Sequence, residues 1–222
     1  MREGGPLVLP SARLRIDVIV GIFVLLGSLV LTAQVNRYAG LALSVVAPRF
    51  SWIATTAAPS CLVILLLFLL LADRQALHWH RLTPDDRWRA LMLAATWLSL
   101  WLAGSVVTAI VAGHWIVYAT GGPAIAAFLG FGPIGEELLF RGLVFERVRR
   151  MFPTTRWPAI IVSTGAFSLH HLALDAAPHG LLLAQVAFTI PMGLVLGALR
   201  DRTRGIWPGL TVHVLTNIPA TL

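Results

Sequence analysis

Long apolar runs separated by short arginine-bearing stretches dominate this sequence. A helix needs about 20 mostly apolar residues to cross a hydrocarbon core of about 30 Å, and several runs reach that length. The candidate segments lie at roughly 17–35, 52–72, 90–112, 116–146, 157–175, 180–199 and 205–220. With 57% hydrophobic and only 12% charged residues, the chain lacks the charged shell of a soluble domain. We therefore predict an all-α fold, a polytopic transmembrane helical bundle of about seven spans that forms a single membrane domain over residues 1–222.

Arginines cluster in alternate connections between the apolar segments. One side carries Arg13 and Arg15; Arg74, Arg81, Arg87 and Arg89; Arg147, Arg149, Arg150 and Arg156; and Arg200, Arg202 and Arg204. The connections on the other side carry only Arg37 and Arg49. Because basic loops stay in the cytoplasm, this alternation predicts that the N-terminus lies inside and the C-terminus outside. The net charge of +7 thus indicates membrane orientation rather than binding to nucleic acid.

The composition also bears on the compartment and on cysteine chemistry. All 17 residues counted as lysine or arginine are arginine. We interpret this as the codon bias of a GC-rich genome, so the expected location is a bacterial plasma membrane. Cys61 is the only cysteine, which excludes an internal disulfide and a cysteine-based metal site.

The fourth segment, 116–146, is too long for one straight span. It contains a Thr-Gly-Gly-Pro sequence at 120–123 and a second group of residues that disturb helices, Gly130, Gly132, Pro133 and Gly135. Because glycine and proline interrupt or kink helices, we expect a bent or interrupted element, with a re-entrant first part as one alternative. A restart of the helix at Gly132-Pro133 would put Glu136 in its first turn.

Two adjacent glutamates, Glu136 and Glu137, lie deep in this apolar segment. An ionisable side chain inside a bilayer costs about 2.5–3.5 kcal/mol on insertion scales, so it is a candidate for function. At about 100° per residue, Arg141 lies on the same helix face as Glu137, and the two can neutralise each other as a buried pair. Glu136 points to another side, without a partner on its own helix. The pattern predicts that Glu136 can hold or take a proton, as a general base does.

Two further polar groups lie in the predicted fifth and seventh spans. Phe167 and His171 are four residues apart and share a helix face, whereas the neighbouring His170 turns away. His213 and Asn217 have the same spacing, and their donors could stabilise an oxyanion or form only a hydrogen-bonding pair between helices. Counted from the arginine clusters at the ends of their spans, the three groups fall near the middle of the bilayer. We therefore expect them to converge in one cavity.

The three patterns together resemble those of a known family of intramembrane proteases. This family includes the type II CAAX prenyl endopeptidases and the bacteriocin-processing and immunity proteins, also called CPBP or Abi proteins. Its motifs are Glu-Glu-x-x-x-Arg, Phe-x-x-x-His and His-x-x-x-Asn. They occur here in the same order, as Glu136-Glu137-…-Arg141, Phe167-…-His171 and His213-…-Asn217. The resemblance covers about residues 116–220, the motif-bearing core, and the first three predicted spans carry no motif.

The resemblance implies an endopeptidase that cleaves a membrane-associated peptide or protein, such as a prenylated CAAX-type or leader-peptide substrate. Its partners would be the lipid bilayer and that substrate. Glu136 is implied to activate water with the help of His171. His213 and Asn217 are implied to stabilise the tetrahedral oxyanion.

Two chemical routes stay open at this point, and in both the resemblance implies that Glu137 and Arg141 hold the helix architecture. In the first route Glu136 is the general base and no cofactor is required. In the second, Glu136, His171 and His213 ligate Zn²⁺ and leave one position for water. A covalent route is not expected, because no serine or cysteine has an obvious base one helical turn away.

Functions without catalysis are also compatible with buried glutamate and histidine. Such groups mark proton relays in proton- or cation-coupled transporters, and a membrane scaffold could retain the same fold. The sequence has no internal repeat of the kind that many transporters have, and every motif position is present. A protease is therefore the preferred interpretation.

Overall fold

The structure, a computed structural model, describes residues 82–113, 127–174 and 179–221, together with positions 45, 64, 77 and 125. Within these residues the chain is helical and has no strand, which confirms the all-α class. The predicted spans at 17–35 and 52–72 lie outside the described residues, apart from position 64.

Six α-helices and two π-helical stretches follow one another in the described part of the chain. They are α1 (Pro84–Ala112), a first π-helical stretch (Ala127–Phe131), α2 (Gly132–Glu136), a second π-helical stretch (Glu137–Val144), α3 (Phe145–Met151), α4 (Trp157–Leu174), α5 (His179–Thr203) and α6 (Trp207–Asn217), with a 3-10 turn at Ile218–Thr221. The elements from residue 127 to residue 151 join end to end, and together we call them the 127–151 helix. The other helices match the predicted third, fifth, sixth and seventh segments within a few residues at each end.

Helix α1 begins at Pro84, earlier than the predicted start at residue 90. The hydroxyl of Thr83 accepts a hydrogen bond of 3.1 Å from the backbone N–H of Asp86, which caps the first turn. Pro84 fits the first turn because no helical partner exists there for the N–H that proline lacks. The helix ends at Gly113, whose φ of 72° is a left-handed conformation that glycine adopts readily.

One helix in the described part of the chain, Pro84–Val111, is long and apolar enough to cross a membrane, with a mean hydropathy of 1.8. Only 11% of its apolar stretch is buried. Large apolar side chains such as Leu100, Val107 and Ile110 are exposed. The number of seven spans and the inward N-terminus stay predictions.

A separate α-helical element, α2, begins at Gly132-Pro133, but the chain does not leave the helical conformation before it. Phe131, which precedes this pair, has helical dihedral angles of −62° and −38°. Because Pro133 has no N–H, the carbonyl of residue 129 cannot bond to it, and the next N–H lies at π-helical spacing. The disturbance therefore takes the form of a π-helical stretch before α2 rather than a break, and a second π-helical stretch follows α2 at Glu137–Val144. Residues 116–124, where a re-entrant part was considered, lie outside the described residues.

Helices α4 and α5 pack closely through two glycines that are four residues apart. A Cβ atom at Gly193 would lie 2.8 Å from Thr164 Cγ2, and one at Gly197 would lie 3.2 Å from Ile160 Cγ2. The spacing places both glycines on one face of α5 and allows close approach of the two backbones. The packing brings α4 against α5 beside the buried core.

Arg200, predicted to lie in a connecting loop, is instead buried in the last turns of α5, which extends to Thr203. Its Nε donates to the carbonyl of Arg141 at 3.1 Å, and its Nη2 donates to Glu146 Oε2 at 3.2 Å. These two acceptors on the 127–151 helix explain why the charge is tolerated inside the protein.

Candidate active site

The second π-helical stretch contains a fully buried ion pair. Arg141 Nη1 lies 3.2 Å from Glu137 Oε1, and both side chains are 0% exposed. The guanidinium group also lies over the ring of Phe167, 4.5 Å from its centroid, and Nη2 donates to the carbonyl of Gly193 at 3.4 Å. The pair expected from the spacing of four residues is therefore present. It connects the 127–151 helix to α4 and α5.

Glu136 faces two histidines that belong to two other helices. Its Oε2 lies 3.5 Å from Nε2 of His213 on α6 and 4.0 Å from Nε2 of His171 on α4. The side chain of Glu136 is 20% exposed, whereas its neighbour Glu137 is closed off completely. The two adjacent carboxylates thus have different surroundings, one paired and sealed, the other accessible and beside imidazole nitrogens.

His171 is oriented by the residue one turn before it. Its Nδ1 lies 2.9 Å from the carbonyl oxygen of Phe167, and because a carbonyl can only accept, Nδ1 carries the hydrogen. The Phe167 ring packs edge-on against the imidazole, with centroids 4.6 Å apart. A neutral His171 therefore presents the lone pair of Nε2 to Glu136. The Phe-x-x-x-His spacing has a clear structural reason.

His213 lies between the two glutamates. Its Nδ1 is 3.0 Å from Glu137 Oε1 while its Nε2 faces Glu136. An ionised carboxylate only accepts hydrogen bonds, so Nδ1 donates to Glu137. It follows that Nε2 is an acceptor when the ring is neutral and a donor only when the ring is an imidazolium.

A glycine allows α6 to approach the buried pair closely. A Cβ atom at Gly209 would lie 3.1 Å from Glu137 Oε2. His213 follows one turn later, and Asn217, half buried, occupies the last position of α6. The predicted roles of His213 and Asn217 towards an oxyanion stay predictions.

The two adjacent histidines of α4 take different positions. His171 lies beside Glu136, whereas His170, which the helical periodicity turns to another face, is buried and packs edge-on against the ring of Phe140, with centroids 5.4 Å apart. The structure thus brings Glu136, Glu137, His171 and His213 into one cluster, and the ring of Phe167 packs edge-on against both imidazoles.

Several residues that shape the cluster were not identified from the sequence. The structure adds Gly193, Gly209, Arg200, Trp97 and Trp101. Only the pairing of Gly193 with Gly197 had a local signal, namely the spacing of four residues between glycines in an apolar segment. The other contacts join residues far apart in the chain, which periodicity does not reveal.

The side chains of Glu136, His171 and His213 are also the ligands of the predicted zinc route. One carboxylate and two imidazole nitrogens are ligands that zinc accepts, and neighbouring ligands of a tetrahedral zinc stand about 3.3 Å apart. The Glu136 oxygen is 3.5 Å from His213 and 4.0 Å from His171. In the described ranges, no group of three or more His, Cys, Asp or Glu side chains is arranged to hold a metal ion. The zinc route stays a prediction.

Comparison with protein families shows what part of the chain is similar to. A family model described as Type II CAAX prenyl endopeptidase Rce1-like matches residues 120–219. The matched region contains the whole glutamate and histidine cluster, while α1 lies before it. No curated protein and no solved structure matches the chain.

Proposed function

We propose that the chain is an intramembrane peptidase that activates water with Glu136, because residues 120–219 match the model of the type II CAAX prenyl endopeptidase family. The observation that carries the proposal is the position of Glu136 Oε2 within 3.5 and 4.0 Å of two imidazole nitrogens. The carboxylate is partly accessible and has no arginine partner of its own in the described part of the chain, so it is suited to take a proton.

We place the attacking water molecule between Glu136 and His171. Their separation of 4.0 Å is too long for a direct hydrogen bond and suits a bridging water. Since Nδ1 of His171 donates to Phe167, two acceptors, the carboxylate and the Nε2 lone pair, face this water. Each accepts one of its hydrogens, which aims an oxygen lone pair at the substrate. As the oxygen attacks the peptide carbonyl carbon, one proton passes to Glu136.

The oxyanion formed by this attack needs hydrogen-bond donors. We assign this role to the amide of Asn217 and to Nε2–H of His213. Because Nδ1 of His213 is held by Glu137 at 3.0 Å, the ring can donate from Nε2 only as an imidazolium. The buried Glu137 carboxylate is the counter-charge for that form, and Arg141 in turn pairs with Glu137 at 3.2 Å.

Collapse of the tetrahedral intermediate completes the reaction. The carbon–nitrogen bond breaks, and the proton held by Glu136 passes to the leaving amine. Glu136 returns to its carboxylate form, and the products are a new carboxyl terminus and a new amino terminus. No covalent enzyme intermediate is required, and no step uses a metal.

The substrate that we propose is membrane-associated. The family consists of integral membrane proteins, and the 20% exposure of Glu136 gives a substrate access to the carboxylate. A prenylated CAAX-type end and a membrane-anchored leader peptide both meet this requirement. Under the alternative functions, a membrane scaffold or a proton- or cation-coupled transporter, the protein would cleave no peptide.

A cleavage assay in liposomes tests the proposal. One fluorogenic reporter carries a farnesylated C-terminal motif, and a second carries a membrane-spanning leader segment. We expect wild-type protein to cleave one of them, and Glu136→Gln, which keeps the shape but removes the base, to lower kcat by about 10²–10⁴.

The matched control is Asp85→Asn, which removes a carboxylate from the exposed start of α1, where the side chain is 85% exposed. This variant should cleave at the wild-type rate. Cleavage by Glu136→Gln at the rate of the control would refute a role for Glu136 as the base.

A further inference from the structure

Helix α1 lies outside the family match and carries no motif, yet it contacts the helix that bears His213 and Asn217. Trp97 Nε1 donates to Thr216 Oγ1 at 2.9 Å, in a buried contact. One turn further along α1, Trp101 Nε1 donates to the backbone carbonyl of Thr216 at 2.6 Å. Both indole N–H groups therefore donate to acceptors of the same residue of α6.

The two hydrogen bonds from the tryptophans fix Thr216 in the last turn of α6. The carbonyls of the last four residues of a helix have no partner within the helix, and Trp101 supplies one for Thr216. The Thr216 hydroxyl accepts from Trp97 and donates to the carbonyl of Val212 at 2.8 Å. Side chain and backbone of Thr216 are thus fixed together, and the residue is 1% exposed.

The two indole rings are themselves held in place by α5. The ring of Phe188 stacks on Trp97 with centroids 5.9 Å apart and lies against Trp101 with centroids 4.1 Å apart. At its other end α6 receives a comparable contact, because Trp207 Nε1 donates to the carbonyl of Leu77 at 2.6 Å. Helix α6 is therefore tied at both ends to residues that precede the family match.

Thr216 follows His213 by three residues and immediately precedes Asn217. A rotation or shift of the last turn would move the Asn217 amide directly and change the direction of the His213 ring towards Glu136. A displacement of about 1 Å in such a group can reduce the rate about 10²-fold. The hydrogen bonds to Thr216 are thus placed where small movements matter most.

We propose that Trp97 and Trp101 are positioning residues of the peptidase: their indole N–H groups fix the last turn of α6 and thereby aim Asn217 and His213 at the reacting carbonyl. This inference rests on the proposed function, because it assigns these tryptophans to the same site. It extends the functional part of the chain to α1.

The test compares kcat and KM in the liposome assay for variants that remove hydrogen bonds at Thr216 and keep the shape of the side chain. Trp101→Phe and Thr216→Val should lower kcat about 10-fold and leave KM within about twofold, because the reacting geometry is impaired and substrate binding is not. Thr216→Ser keeps the hydroxyl and should remain within about twofold of wild type. Rates are normalised to folded, monodisperse protein.

Trp88→Phe is the matched control on the same helix, since Trp88 is 62% exposed. It should leave kcat unchanged. A double-mutant cycle adds a readout that general destabilisation would not produce: in an Asn217→Ala background, Trp101→Phe should lower kcat by less than it does in the wild-type background, because one of the two groups that it positions is gone.

The outcomes separate the two proposals. If Glu136→Gln is inactive while Trp101→Phe and Thr216→Val cleave like Trp88→Phe, the tryptophans have no positioning role and this inference alone is overturned. The same conclusion holds if the effects of Trp101→Phe and Asn217→Ala are additive. If Glu136→Gln retains wild-type cleavage, the proposed function itself is overturned.

Discussion

The i,i+4 ion pairs Asp85–Arg89 and Glu137–Arg141 differ in nearly every respect except their spacing. Asp85 and Arg89, at the start of α1, are 3.7 Å apart with side chains 85% and 63% exposed. Glu137 and Arg141, in the second π-helical stretch, are 3.2 Å apart and 0% exposed. Around the first pair apolar side chains face outward, whereas around the second they enclose the charges.

The two pairs lie in regions of different construction, one with apolar side chains outside and one with charged groups inside. Helix α1 exposes large apolar side chains along most of its length and meets the other helices through few residues, among them Trp97 and Trp101. The 127–151 helix, α4 and α6 place charged and polar groups inside. A buried charge is tolerated only when its partners are all present, so the inner region should be far more sensitive to substitution than α1.

The largest effect is expected from breaking the buried pair. Arg141→Met leaves the Glu137 carboxylate buried without its cation and removes the donor to Gly193. We expect a loss of about 3–5 kcal/mol in the free energy of unfolding, measured by denaturant titration in detergent micelles. Arg89→Met, the control, should lose less than about 1 kcal/mol, as exposed pairs do. Equal losses for the two variants would show that burial does not distinguish these pairs.

Replacing a glycine by alanine should change the free energy of unfolding in opposite directions in the two regions. At Gly193 an added Cβ would stand 2.8 Å from Thr164 Cγ2, whereas at Gly104 on α1 nothing lies within 4 Å. Gly193→Ala should destabilise the protein by about 1–3 kcal/mol through overpacking. Gly104→Ala should stabilise it by about 0.5–1 kcal/mol because alanine restricts the unfolded chain. The same titration measures both, and a neutral Gly193→Ala would contradict the close packing of α4 and α5.

The smallest effect is expected from metal removal. The charges of the inner region pair with one another, with Arg141 against Glu137 and His213 between the glutamates. We expect protein prepared with chelator and metal-free buffers to retain its cleavage rate within about twofold, since the proposed base is a carboxylate. Loss of activity that Zn²⁺ restores would instead establish the metal-bound route.

Much of this arrangement follows from periodicity. The spacing of four residues predicts the Glu137–Arg141 pair and leaves Glu136 to face other helices, and the structure contains both features. It also separates His171 from His170 correctly. These successes share one cause, since each depends only on the angle between residues of one helix.

The features that could not be predicted depend on contacts between distant residues. Arg200 was assigned to a loop because arginines flank membrane spans, but its partners Arg141 and Glu146 lie on another helix. The sequence around Trp97 and Trp101 indicates only an apolar helix, because their partner Thr216 lies 119 and 115 residues further along the chain. The π-helical stretches depend on local hydrogen-bond geometry, which residue types at 127–144 signal only through glycine and proline.

An experimental structure of the protein in a lipid bilayer tests the central claim most directly. The account predicts that Nε2 of His171 and of His213 both lie within about 4 Å of the Glu136 carboxylate, around a solvent molecule that a peptide can reach. A map in which Glu136 points at acyl chains, or in which the two imidazoles lie on opposite sides of the bundle, would contradict it.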